Sequence, residues 1–551
     1  MPHARRLAVA LVALLGLVVT VLGAWLAFTL GTSGTARFTA TASEPLVIGP
    51  STLNRVAVPV RVSATSKRGP VFLGVSSPQD ASHLVGSATH QQVVVAEFPA
   101  RTLRLARSGS STLADPTNLP LWRATGRDTL VVSQDNAPES VVIYPGSAGP
   151  VDVTLTWTRN AWFLQSLLVL IAGLVVLALA AGWLWRSTRA RAARQQGRAP
   201  RTSGRRSDLE AQERPRGAGM RQRGASRLVV ALVAGALSAL LTACAGLAGV
   251  SDAPTQTVGG AVRPTQAQTI AAKVIGESEK AAAAPGPEGD ALRAEAYTGD
   301  ALVAATADAK LAATLSAQVK GARTSTTSPP VVLAVSRGPS YPRSMLLQTT
   351  RAQSGLPVLH LLSTPDVRTP YRIAASTPML PSASVRAFEP VTQGSTALGD
   401  GNGLVRRPEE LAQAYAASLA FPAPAPAADR PFAPDTFAAG VAAGASSQNQ
   451  DLGGVGTFAQ QHEAKDITGG LRVRGNAGAL VFAVLDRTDT LLNKTPGTLK
   501  PSAPFTALTG LSTVKAEAQL RTLEFVAFFV PDAGQVVVVG ADEHLYAASG
   551  T

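Results

Sequence analysis

The chain has 551 residues, with 50 Lys and Arg against 36 Asp and Glu, a formal net charge of +14 and a single cysteine. One cysteine excludes an internal disulfide and a cysteine-based zinc site. Thirteen arginines against three acids between Arg186 and Arg227 make the basicity local, and this Gly-, Ser-, Pro- and Gln-rich stretch without aromatics argues for a solvated linker and against nucleic-acid binding.

In chain order, residues 1–30 read as a cytoplasmic tip and a transmembrane helix. Leu7 to Leu30 carries no charge over 24 residues, enough to cross a hydrocarbon core of about 30 Å. Arg5 and Arg6 precede it and place the N-terminus inside. A cleaved signal peptide is the competing reading, but the run is longer than an ordinary h-region and no small-x-small site closes it.

Residues 31–160 read as an extracytoplasmic all-β sandwich. Val56–Val62 alternates with period two, and Pro59 places it at an edge or bulge. Further strands are expected at Val71–Val75, Val93–Phe98, Leu103–Ala106, Thr129–Ser133, Val141–Tyr144 and Val151–Trp157. His83 and His90, without a third ligand nearby, read as surface loop histidines rather than a metal pair.

Pro45–Pro50, Pro70–Val75 and the closing Val151–Trp157 carry a resemblance over residues 1–190. The segment resembles an uncharacterised actinobacterial module that sits between two membrane helices. The resemblance implies architecture, with no activity attached.

Ala161 to Trp185 reads as the second transmembrane helix. Trp162 and Phe163 stand at one end and Trp183 and Trp185 at the other, and Arg186, Arg189, Arg191 and Arg194 hold that end inside. Residues 186–226 are the expected disordered cytoplasmic linker. A third apolar run, Leu228–Val250 within residues 227–250, again follows arginines and points outward. It reads either as a third transmembrane helix or as a lipoprotein signal opening at Met220. In the second case Leu241, Thr242 and Ala243 form a lipobox and Cys244 takes the lipid. A multiply acylated Cys244 would hold the membrane firmly.

Residues 251–265 read as a flexible spacer. Beyond it an α+β region is expected as two domains, 266–421 and 422–551, divided by the Ala- and Pro-rich Pro422–Pro434. The first has helices Gln266–Ala284 and Gly289–Lys320, then strands Val331–Val335, Ser344–Gln348, Pro357–Leu362, Tyr371–Ser376 and Ser384–Glu389. Helices return at Pro408–Leu419 and Asp435–Ala445, followed by strands Thr457–His462, Ala479–Leu485, Leu523–Val530 and Gln535–Val539. In element order alone this is similar to a pair of nuclear-transport-factor-like cone domains, which implies ligand-binding or interaction modules.

Chemical motifs are sparse. Ser512-Thr-Val-Lys515 has the spacing of penicillin-recognising enzymes, but the Lys494-Thr495-Pro496-Gly497 segment precedes it and is broken by proline. Gly399–Gly403 lacks the acids of a calcium loop and reads as a turn. His360, His462 and His544 are scattered, and Asp486 with Asp489 reads as a strand-end hydrogen-bonding cluster.

The expectation is a non-enzymatic, multi-pass cell-envelope membrane protein with both folded regions extracytoplasmic. It uses no cofactor, metal or nucleic acid; its partners are membrane lipid and envelope proteins, cell-wall components or a small ligand. The alternatives are an extracytoplasmic enzyme with residues dispersed over a cone-shaped pocket, and a structural accessory of a membrane complex. Uncharged apolar runs argue against a transporter.

Overall fold

The computed structural model describes residues 2–56, 58–97, 100–133, 138–146, 149–196, 259–284, 286–315, 329–352, 354–425 and 431–551. The linker beyond residue 196, the third apolar run, the lipobox Leu241, Thr242 and Ala243, and Cys244 lie outside the described residues. Two compact units are present: residues 1–117 with 124–256, and residues 118–123 with 257–551.

In the first unit, α1 (Pro2–Leu30) and α4 (Asn160–Gln196) are long and apolar enough to cross a membrane. They pack antiparallel, and glycines set how closely. A Cβ on Gly23 would stand 2.4 Å from the Leu170 amide nitrogen, and one on Gly173 would stand 2.5 Å from that of Thr20. Small residues allow such backbone approach between membrane helices. Gly23→Leu is expected to destabilise the pair by about 1–3 kcal/mol through overpacking, measured by unfolding in SDS. Gly182→Leu, where nothing lies within 4 Å of an added Cβ, should be silent.

Between these helices ten strands form one sheet. They are β1 (Thr35–Ala42), β2 (Leu46–Ile48), β3 (Val60–Thr65), β4 (Phe72–Ser76), β5 (His90–Glu97), β6 (Thr102–Ser108), β7 (Ala124–Arg127), β8 (Thr129–Val132), β9 (Ser140–Tyr144) and β10 (Val151–Thr158). Their spatial order is β7-β4-β9-β2-β5-β6-β1-β10-β3-β8. The two end strands are consecutive in the chain, separated by Asp128 alone. Asp128 (φ 62) donates its N–H to the Val71 carbonyl at 3.0 Å. Its carbonyl accepts from the Ala64 N–H at 2.8 Å, and its carboxylate accepts from the Val71 N–H at 2.8 Å. Asp is among the few non-glycine residues that tolerate this backbone region.

The alternation in β10 buries Val151, Val153, Leu155 and Trp157, and Phe38 meets the Trp157 ring edge-on at 5.5 Å. The strand expected from Val56 starts at Val60, because the preceding chain turns through a short helix, α2 (Pro50–Leu53). The histidines expected in loops lie on regular elements: His83 on α3 (Pro78–Val85), and His90 on β5 with Nδ1 at 2.8 Å from the Ala88 carbonyl.

The second unit begins with α5 (Pro264–Ala283), α6 (Gly286–Ala296) and α7 (Gly299–Thr314). The single helix expected from Gly289 is broken at Thr298, which is extended, and Gly299, whose φ of 57 favours glycine. Strands β11 (Val331–Val335), β12 (Arg343–Thr350), β13 (Pro357–Thr364) and β14 (Arg372–Pro378) follow as an antiparallel meander. The segment 384–389 is not a strand; it is clasped at the turn near Arg474, whose N–H donates to the Ala387 carbonyl at 2.9 Å.

Helices α8 (Pro408–Ser418) and α9 (Thr436–Asp451) then lead to a second meander, β15 (Gly456–Arg472), β16 (Gly478–Asn493), β17 (Glu517–Pro531) and β18 (Val537–Gly550), with α10 (Ala503–Thr509) between β16 and β17. Both faces of this sheet are buried. Leu480, Phe482 and Val484 share a core with Leu346, Leu359 and Leu361 of the first sheet. Val481, Ala483 and Leu485 pack instead with Leu411 and Tyr415 of α8 and Val441 of α9. On its other face the first sheet packs Met345, Leu347 and Leu362 against Ala271, Val274 and Ile275 of α5. The layers are therefore helix, sheet, sheet, helix, and the two sheets flanking residues 422–434 share one core.

Candidate functional site

A cavity of about 340 Å³ lies between helices α5–α7 and strands β12–β14, β17 and β18. Its helix wall is rich in alanine, with Ser278, Arg293, Tyr297 and Asp308 set among the apolar residues. In α7, Ala301, Ala304, Asp308 and Leu311 recur at helical spacing, so one acid stands in an otherwise apolar stripe facing the cavity.

That acid meets a histidine from the far end of the chain. Asp308 Oδ2 is 2.7 Å from His544 Nδ1. At that distance an Nδ1–H donates to the carboxylate. Asp542, two residues earlier on the same face of β18, places Oδ2 at 3.7 Å from His544 Nε2 and 3.3 Å from Arg351 Nη2. The His544 ring also stands edge-on to Phe525 at 5.5 Å, which fixes its plane.

His360 lies on the same cavity wall, on β13, and is buried. Nε2 is 2.8 Å from Thr349 Oγ1 and Nδ1 is 3.0 Å from Ser376 Oγ. Burial, reinforced by the Arg351 charge, pushes its pKa down to about 4. The imidazole is thus neutral at neutral pH, one nitrogen donating and one accepting. Tyr297 contributes a phenol that burial holds above its ordinary range.

A second cavity, about 500 Å³, lies on the opposite face of the second sheet, between α9 and residues of β15–β18. Strand alternation divides three consecutive residues between the two: Asp542 and His544 face the first cavity and Glu543 the second. Beneath the second cavity runs a bonded polar row. Gln460 Nε2 donates to Asp489 Oδ1 at 2.8 Å, and Arg487 pairs with Asp489 at 3.3 Å, Glu524 at 3.1 Å and Glu543. Glu524 also holds the buried His462, Oε2 to Nδ1 at 2.9 Å. Burial opposes the Arg487 charge, but the carboxylates of Asp489, Glu543 and Glu524 outweigh it and hold the guanidinium above its ordinary value.

The three histidines read as scattered are therefore not equivalent: His360 and His544 share a cavity, and His462 belongs to the network on the other side. Asp486 and Asp489 sit within β16 rather than at a strand end, because that strand runs on to Asn493. They diverge: Asp486 accepts from Arg521 and from the Tyr546 hydroxyl at 2.9 Å, whereas Asp489 accepts from Gln460. Ser512 and Lys515 are exposed and lie outside any helix, and Asp400 merely closes its own turn by accepting from Asn402. Among the described residues no three His, Cys, Asp or Glu groups converge as metal ligands.

Sequence reading missed Asp308, Arg351 and Asp542. The available signals were the lone acid in the alanine-rich stripe of α7 and the polar Asp542-Glu543-His544 run continuing an apolar strand. Comparison with protein families, curated proteins and solved structures finds no match to the chain.

Proposed function

We propose that the chain is a membrane-anchored cell-envelope protein whose C-terminal unit holds a small, mostly apolar ligand with one polar end in the first cavity, without chemical turnover. The observation that carries this reading is the cavity's composition: an alanine-rich wall facing a small set of polar groups, Asp308 bonded to His544, Asp542 to Arg351, and His360 to Thr349 and Ser376, with Arg293 beside them. Such a lining orients a ligand while burying most of its surface. Helices followed by a four-stranded meander occur twice, around a core that the two sheets share. In this reading α1 and α4 span the membrane, the ten-stranded domain and the C-terminal unit lie outside, and lipidation at Cys244 adds a further anchor.

The full-length protein, extracted from its native membrane, is expected to release a bound small molecule detected by mass spectrometry. Ala305 faces the cavity from α7, and Ala305→Phe should cut the recovered ligand about tenfold with thermal melting unchanged. Equal recovery from both proteins overturns the reading.

The Asp308–His544 pair favours a second reading, an extracytoplasmic enzyme. A carboxylate that fixes one imidazole nitrogen leaves the other as a general base. That reading expects His544→Gln to release a chemically different molecule, substrate in place of product. Release of the same molecule by both excludes it.

A further inference from the structure

The second cavity carries its own ligand chemistry. Along α9, Gly440 and Gly444 lie one turn apart on the cavity side, and a Cβ added to either meets nothing within 4 Å. Open space is therefore left over the sheet by the absence of side chains. Phe437, Val441, Phe458 and Leu491 supply apolar and aromatic surface around it.

Its polar floor is rich in acceptors. Gln460 is 4% exposed, and although its Nε2 donates to Asp489, its Oε1 has no hydrogen-bond partner among the described residues. The amide orientation follows from that bond, since the amide nitrogen must face the carboxylate. Asp489 and Glu543 line the cavity beside it, and Glu524 lies behind. Against these three carboxylates stand Arg487, already bonded to all of them, and Lys500 at the exposed edge. Carboxylates outnumber the fixed cations here, and a buried carbonyl needs a donor.

We propose that this cavity binds a small organic cation, an ammonium group on an apolar body. The ammonium N–H groups donate to Gln460 Oε1 and Asp489, and the aromatic walls favour a cation over their ring faces. The body fills the space above Gly440 and Gly444. Unlike the first cavity, where Arg293 and Arg351 keep buried Nε donors without a partner, this one holds a buried acceptor without a partner among the described residues.

The test is calorimetric titration of the full-length protein in detergent at neutral pH with phenethylammonium and its neutral counterpart, phenethyl alcohol. The ammonium is expected to bind about tenfold more tightly than the alcohol, and Asp489→Asn should cost about tenfold. Gly444→Phe should abolish binding; the site is exposed and uncrowded, so this variant is expected to fold even where Asp489→Asn does not. Ala305→Phe, in the first cavity, should leave the titration unchanged, which separates failure here from failure of the proposed function. Equal affinity for amine and alcohol, no binding of the amine, or wild-type binding by a melted-and-verified Gly444→Phe protein each overturns the proposal.

Discussion

Glu524→Ala is expected to destabilise the C-terminal unit by about 3 kcal/mol, the effect of breaking a buried ion pair by removing one partner. The Glu524 side chain is fully buried and binds two groups at once, Arg487 and His462. Arg487 keeps Asp489 and Glu543 in the variant, which holds the loss to the low end. His462 keeps nothing comparable, because its Nε2 has no partner among the described residues and its side chain is fully buried. Pulse proteolysis that follows fragments of the C-terminal unit measures the change, and wild-type resistance would refute the role. The double variant Glu524→Met with His462→Leu should recover much of the loss, since a buried polar pair replaced by apolar groups of similar size is often neutral.

The same network explains why the second cavity is shaped by charge and the first by packing. Arg487, Glu524 and His462 lie on the face of the second sheet that meets α8 and α9, where the apolar core of Val481, Ala483 and Leu485 gives way to polar residues further along β16. The first cavity has no such row. Its polar groups pair across elements instead, Asp308 of α7 with His544 of β18, Asp542 with Arg351, and His360 of β13 with Thr349 of β12 and Ser376 of β14. A ligand there gains mainly by burying apolar surface, and a ligand in the second cavity gains mainly by supplying donors.

Much of the fold could be read from periodicity. The two long apolar helices stand where uncharged runs predict them, and β10, β11 and α8 lie within a residue or two of expectation because their side-chain patterns are strong. Strand β1 was invisible: Thr35-Ala-Arg-Phe-Thr-Ala-Thr-Ala42 has one bulky apolar residue, and it is held by pairing with β10 rather than by its own propensity. The long strands β15 and β18 were truncated for a related reason. Beyond His462 and Val539 charged residues and glycines break the apolar runs, yet ladder pairing to β16 and β17 continues. The candidate site was legible least of all. Asp308 and His544 are 236 residues apart, and only the packing of α7 against β18 brings them together.

The C-terminal unit is expected to lose about 3 kcal/mol of stability as the pH falls from 7 to 4, with His360 as the source. The ring has an ordinary pKa of 6.5, and burial with the Arg351 charge lowers it to about 4 in the folded chain. Between these values the unfolded chain takes up a proton that the folded chain refuses, so acid favours unfolding. The stabilisation of the neutral ring is complete above 6.5 and is lost as the pH falls towards 4; the gap of about 2.5 at about 1.4 kcal/mol each sets the size. The cause is burial first and charge second: the ring lies under α5–α7 beside Arg351, and Thr349 and Ser376 hold its two nitrogens in place. His360→Gln keeps a polar group of similar reach between those hydroxyls but has no proton to gain. It should therefore flatten this part of the pH profile, whatever its cost at neutral pH. Proteolytic stability measured across the range decides the matter: a slope in His360→Gln equal to that of the wild type would place the titrating group elsewhere. A shallower slope would also bear on binding, since protonation of His360 beside Arg351 puts a second positive charge at the polar end of the first cavity. Ligand release should then accompany the fall in stability, and His360→Gln should retain its ligand to lower pH.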